Sequence, residues 1–275
     1  MAKRQIRSTQ YINQGRTKFK NGKRKKPPQK SRGSRIWFGL LKFLGLFVLA
    51  GLLLLLWESA KLSSVISNAR PIDQLRADTT GIVRLEGVAE GMTQVTDEGK
   101  LRDRYALLQK EKFQWHCSKS GCDYQWDEDL KPDVRGSFML NGVNVQADWF
   151  RFYDDWLPLD TTTVIAEQTP NIHEGGSSRP LLVESPKKTA FGYYAVSPGE
   201  QVTVIGRAHM GRLEPIAYPG KDGQNVILIG TSVARMLSEE RERQIGFGIV
   251  AGIVFLALLP IMIGWIRKYS RLLTK

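Results

Sequence analysis

The sequence predicts an α+β membrane protein in which two transmembrane helices flank a mainly antiparallel β domain. Three observations carry this reading. Two long apolar runs are almost free of charge, basic residues gather outside those runs, and period-two apolar alternation recurs between them.

The first run, residues 36–57, is 22 residues long with Lys42 as its one charge. At a rise of about 1.5 Å per residue it reaches about 33 Å, enough for a hydrocarbon core of about 30 Å. Its ten Leu, three Phe, one Ile and one Val favour insertion by about 4–9 kcal/mol. Lys42 sits near the basic end, where it snorkels at less than the central penalty of about 2.5–3.5 kcal/mol. The second run, residues 245–266, has 22 residues and no charge. Pro260 lies inside it, which lipid-embedded helices tolerate. Trp37, Trp57 and Trp265 fall at the ends of the runs, as an interfacial aromatic belt requires. A cleaved signal peptide is the rival reading of residues 36–57, but the apolar core and the segment before it are too long.

Charge sets the direction. Residues 1–35 carry 13 Lys/Arg and no Asp or Glu, and residues 267–275 carry four more basic residues. Residues 16–35 hold ten Lys/Arg against three in residues 58–77, and the second run has three before it in residues 225–244 against four after it. Both comparisons put the termini in the cytoplasm and residues 58–244 in the periplasm, the cell exterior or a lumen. Residues 58–266 hold 22 basic and 27 acidic residues, so the formal net charge of +13 does not describe a basic nucleic-acid domain. The tail, with Lys23, Arg24, Lys25 and Lys26 at its centre, reads as disordered, topogenic and attracted to anionic lipid. Only Tyr11 and Phe19 interrupt it, so no stacking platform for nucleic acid is evident, and lipid is the favoured contact.

Between the runs, residues 82–88, 201–207 and 226–229 read as strands, with 105–110 and 137–140 as further candidates. Residues 213–218 are expected to pair with 226–229 across Gly220-Lys221-Asp222-Gly223. Residues 127–136 and 166–190 read as long loops. The segment Phe113-Gln114-Trp115-His116-Cys117 mirrors Cys122-Asp123-Tyr124-Gln125-Trp126 about a short turn. A hairpin there sets Cys117 opposite Cys122, Trp115 opposite Tyr124 and Phe113 opposite Trp126. Aromatic cross-strand pairs contribute about 0.2–1 kcal/mol each, and the assigned compartment permits a structural Cys117–Cys122 disulfide. A metal site built from His116, Cys117, Cys122 and Asp123 is disfavoured, because adjacent strand residues point to opposite faces. No metal or cofactor is expected.

Residues 148–156 alternate aromatics with carboxylates. Trp149, Phe152 and Trp156 form the candidate partner surface. Asp154 and Asp155, with His173, are the acids and base a hydrolase would use, but no nucleophile elbow, zinc motif or phosphate loop accompanies them. The joints carry more information. Residues 58–68 lack Gly and Pro, so helix is expected to continue until Pro71. Thr231 or Ser232 caps a helix with Val233, Met236 and Leu237 on one face. With no flexible linker, the β domain should lie close against the membrane.

Ala69-Arg70-Pro71-Ile72-Asp73-Gln74-Leu75 leading to Val83-Arg84-Leu85-Glu86-Gly87, then residues 197–206 and 227–232, together resemble the GIDE proteins and their "beside a membrane" (BAM) module. That resemblance implies two spans around a non-cytoplasmic β domain. Members with ubiquitin-ligase activity carry a RING; no zinc-ligand array is present in this chain, and no catalytic residue carries over. Residues 98–101, 112–115 and 202–205 through 213–216 are similar to the LUMA family of nuclear-envelope proteins, which also has a lumenal domain after its first span. Both resemblances imply a non-enzymatic scaffold. The expected partners are membrane lipids and a membrane or envelope protein, with a second copy of the chain as a further candidate. A membrane-anchored hydrolase is the alternative.

Overall fold

The computed structural model describes residues 32–119, 121–127, 130–165, 172–175, 179–218 and 224–273. The chain divides into two units at Phe43/Leu44. Within the first, residues 32–43 are helical, and Lys23, Arg24, Lys25 and Lys26 lie outside the described residues. The second unit, Leu44–Lys275, carries all the sheets.

In chain order the elements are α1 (Arg32–Asn68), β1 (Arg70–Pro71), β2 (Gly81–Val88), β3 (Glu90–Gly91), β4 (Leu107–Ser118) and β5 (Gly121–Trp126). Next come β6 (Asp133–Gly136), β7 (Phe138–Leu140), β8 (Val143–Val145), β9 (Phe150–Phe152), β10 (Ile172–Gly175) and β11 (Arg179–Ser185). The last are β12 (Thr189–Val196), β13 (Gln201–His209), β14 (Arg212–Glu214), β15 (Ile216–Ala217), β16 (Asn225–Gly230) and α2 (Val233–Leu273). The protein is thus α+β with mostly antiparallel sheets and two apolar helices long enough to cross a membrane.

A seven-stranded sheet is centred on β13, which pairs with β2 on one side and β16 on the other; β9 joins β16 in parallel. This sheet is covered on both faces. Val202, Val204, Ile227 and Ile229 enter one core with Leu107, Phe138, Phe150 and Phe152. Ile205, Val226 and Leu228 enter another with Leu62 and Ile66 of α1 and Met236 of α2. Two-sided burial explains the unbroken apolar run Val226-Ile227-Leu228-Ile229. A six-stranded sheet runs β10-β11-β12-β4-β5, with β6 on β4, and β3-β7-β8 form a third.

The hairpin has the expected register. Phe113 pairs with Trp126, Trp115 with Tyr124 and Cys117 with Cys122. The two sulfurs are 2.07 Å apart, at disulfide distance. Other expectations need correction. Residues 166–190 are not simply a loop: β10, β11 and the first residues of β12 lie there. Leu181 and Val183 face one core and Leu182 another, so β11 shows no alternation to read. Residues 127–136 include β6, an edge strand on β4. Residues 213–218 split at Pro215, which has no amide to donate: β14 pairs with β13, and only β15 pairs with β16.

Both helices outrun the apolar segments. The less exposed residues of α1 include 45, 49, 52, 56, 59, 63 and 66, with 58, 62 and 65 widening the face near the β domain, and those of α2 include 233, 237, 240, 244, 247, 251, 254 and 258, with 236, 239, 248 and 259 beside them. Alternating steps of three and four mark a coiled-coil seam. The helices are antiparallel: a Cβ on Gly45 would meet Leu258 Cδ2 at 2.8 Å, whereas Leu62 and Ile66 cluster with Met236. Glycine lets the pair approach closely there. The other faces are uncovered, with Phe47 74% and Leu256 66% exposed. Core helices of a water-soluble domain would bury such side chains.

Candidate functional site

The seam changes character where the helices reach the β domain. Ser59 Oγ donates to Glu240 Oε2 at 2.6 Å, and Gln244 Nε2 donates to Ser63 Oγ at 2.8 Å. Glu240 is 0% exposed. Its other oxygen, Oε1, accepts from Arg151 Nη2 at 2.5 Å and from the Tyr153 hydroxyl at 3.0 Å. Arg151 Nε donates to Tyr153 Oη at 3.0 Å, and Nη1 donates to the Tyr218 hydroxyl oxygen. Alternation along β9 places Trp149, Arg151 and Tyr153 on the helix side and Phe150 and Phe152 on the inner side.

A buried carboxylate and guanidinium are thus satisfied by a network spanning both helices, β9 and the end of β15. Burial works against the Arg151 charge, but Tyr153, Tyr218 and Glu240 outweigh it and hold its proton above the usual range. Burial also pushes the Tyr153 and Tyr218 hydroxyls up, Glu240 adding to the effect and Arg151 opposing it. Both stay protonated at neutral pH. Such a network adds little net stability over an apolar one, but breaking it by removing one charged partner leaves the other buried and uncompensated.

Beside this clamp lies a groove of about 670 Å³ between the end of β9, β12 and the first turns of α2. Trp156 forms its wall, stacked on Tyr194 at 4.2 Å and edge-on to Phe113 at 5.6 Å. The ring lies over Gly192, where a Cβ would come within 2.1 Å of it. Arg179 covers the ring at 5.6 Å. Arg235 and Arg243 line the α2 side; Arg243 is paired with Glu239 at 2.6 Å and Arg235 loosely with Asp155 at 3.8 Å. Ser232 Oγ accepts from Arg235 N at 3.2 Å, so Ser232 is the N-cap that starts α2.

Of the three aromatics expected to form one surface, Phe152 and Trp156 meet on Tyr194 in the groove and Trp149 lies apart. Phe152 lines the groove with Trp156 but is only 8% exposed: it stacks on Tyr194 at 4.8 Å, and its parallel pairing with β16 turns most of its ring into the inner core. Trp149 packs against Tyr218 on the helix side. Trp156 lines the groove. Asp154 and Asp155 line the same groove. Asp154 accepts from Thr231 N at 3.2 Å, and the Asp155 side chain is 98% exposed. His173 lies elsewhere, against Asp123 at 3.0 Å and the Tyr124 ring. His116 and His209 are not buried. Among the described residues no cluster of three His, Cys, Asp or Glu side chains could hold a metal ion.

Sequence reasoning missed the clamp. The signal was present: Glu240 continues the face of Val233, Met236 and Leu237, and a carboxylate on an apolar face needs a partner. No family model, curated protein or solved structure matches the chain.

Proposed function

We propose that this is a non-enzymatic integral membrane protein that holds a β-rich binding or assembly module against the bilayer. Residues 36–57 and 245–266 span the membrane, both termini are cytoplasmic, and the domain faces the periplasm, exterior or lumen. The observation that carries this is the Ser59–Glu240–Arg151 clamp. It ties both helices to the domain where the apolar faces end, so the module is held in a fixed attitude. A freely tethered enzyme domain has no need of that. The resemblance to BAM-module proteins points the same way, toward envelope organisation or stress roles and toward a membrane protein or a second copy as partner.

A membrane-anchored hydrolase is the second reading, favoured by the meeting of Asp154 and Asp155 in one groove. An acid catalyst at neutral pH needs a desolvated carboxyl, and the exposed Asp155 side chain lacks one. Crosslinking in intact membranes tests the main reading. A discrete captured membrane protein or dimer, together with a reporter near residue 150 that is silent in the cytosol, supports it. A cytosolic signal from that reporter overturns it, as does a chain soluble without detergent.

A further inference from the structure

We propose that the groove walled by Trp156 holds the headgroup of an ethanolamine phospholipid. This rests on the membrane placement proposed above and adds the ligand. Position is the first support. Glu239, Glu242 and Arg243 precede Ile245, which begins the exposed apolar face of α2, by six, three and two residues. At about 1.5 Å per residue they stand about 3–9 Å above that face. The headgroup layer is about 5–8 Å deep on each side of the hydrocarbon, so the end of the groove at Glu242 and Arg243 lies in it.

Charge is the second support. Three arginines face four carboxylates in the lining, an excess of one negative charge. An anionic lipid would be repelled overall, whereas a zwitterion finds both signs. Arginine presents paired N–H donors that match phosphate oxygens. Arg179 has no carboxylate at ion-pair distance among the described residues and is exposed on the groove rim, whereas Arg235, about 15 Å above the apolar face, stands clear of the headgroup layer. On the opposite sign, Glu242 is exposed and in no ion pair among the described residues. A carboxylate wants N–H donors, which a primary ammonium has and a quaternary one lacks. Choline would instead seek the Trp156 face, and Arg179 already covers it.

The test uses the full chain in vesicles mixing phosphatidylethanolamine, phosphatidylcholine and phosphatidylglycerol. The protein is released with its bound lipid and read by native mass spectrometry. We expect the ethanolamine lipid enriched about tenfold over its bulk share, a difference of about 1.4 kcal/mol. The enrichment should fall to the bulk ratio in Arg179→Gln and in Glu242→Gln, two surface changes that leave the thermal transition in place. Enrichment of the glycerol or choline lipid overturns the proposal, and so does enrichment that both variants retain. A reporter near residue 150 is read on the same protein in cells. If lipid selectivity fails while the reporter stays outside the cytosol, the lipid assignment alone falls; if the reporter is cytosolic, the membrane placement falls with it.

Discussion

Ser59 and Glu240, separated by 181 residues, meet at 2.6 Å and fasten the first helix to the second. Through the other oxygen of Glu240 the same contact reaches Arg151 on β9. Removing the carboxylate leaves a buried guanidinium without its counter-charge. Glu240→Ala should therefore destabilise the detergent-solubilised full chain by about 3–5 kcal/mol, and Arg151→Met combined with Glu240→Leu should regain most of that. Thermal unfolding followed by circular dichroism reads both. A single variant as stable as the parent would show that the clamp holds nothing.

Leu62 sits in the core shared by α1, β13, β16 and α2. Leu62→Ala opens a cavity there and should lower stability by about 2–5 kcal/mol. Leu53→Ala, on the uncovered face of α1, should change it far less. Equal effects of the two changes would contradict the division of α1 into a packed and an uncovered face.

Cys117 and Cys122 face each other across the hairpin of β4 and β5. A bond there closes a very short loop, so the chain-entropy gain is at most about 2 kcal/mol, and the aromatic pairs beside it hold the register anyway. Cys117→Ser with Cys122→Ser should shift the transition only slightly. Intact-mass analysis with and without reductant should find the native pair oxidised; two free thiols would refute that.

Asp97 carries a pH dependence. Burial raises its carboxyl, but hydrogen bonds from Lys110 at 2.8 Å and Tyr193 at 2.7 Å, with the Lys110 and Lys100 charges, hold it below the usual value. A depressed folded pKa contributes stability above the unfolded value of about 4, and that contribution is lost as pH falls through the folded one. Asp97→Asn should lose stability at neutral pH and flatten the acid limb of a stability–pH curve. A variant curve parallel to the parent's would show that Asp97 does not shape that limb.

Much of the architecture was legible because it rests on local pattern. The apolar runs, the strands at 82–88 and 201–207, and the mirrored hairpin each announce themselves within a few turns or strand lengths of chain. The strand Arg179–Ser185 did not, because Leu181, Leu182 and Val183 are buried on alternate sides of one sheet and erase the period. The groove was half legible. Trp156, Asp154 and Asp155 stood out in sequence, but Arg179, Tyr194 and the α2 arginines reach them only through strand order. The depth of Phe152 was hidden for the same reason, since a parallel neighbour far along the chain decides which way it points.

The polar layer at Ser59, Ser63, Glu240 and Gln244 interrupts a seam that is otherwise apolar or small. Sliding one helix past the other by a heptad, about 10 Å, would strand that carboxylate among leucines. In the proposed setting the pair therefore cannot shorten or lengthen telescopically when the surrounding lipid grows thinner or thicker. Of the responses to mismatch, tilt is one that leaves this layer intact, and a tilt of the helix ends at Ser59 and Glu240 would carry the β domain with it through Arg151.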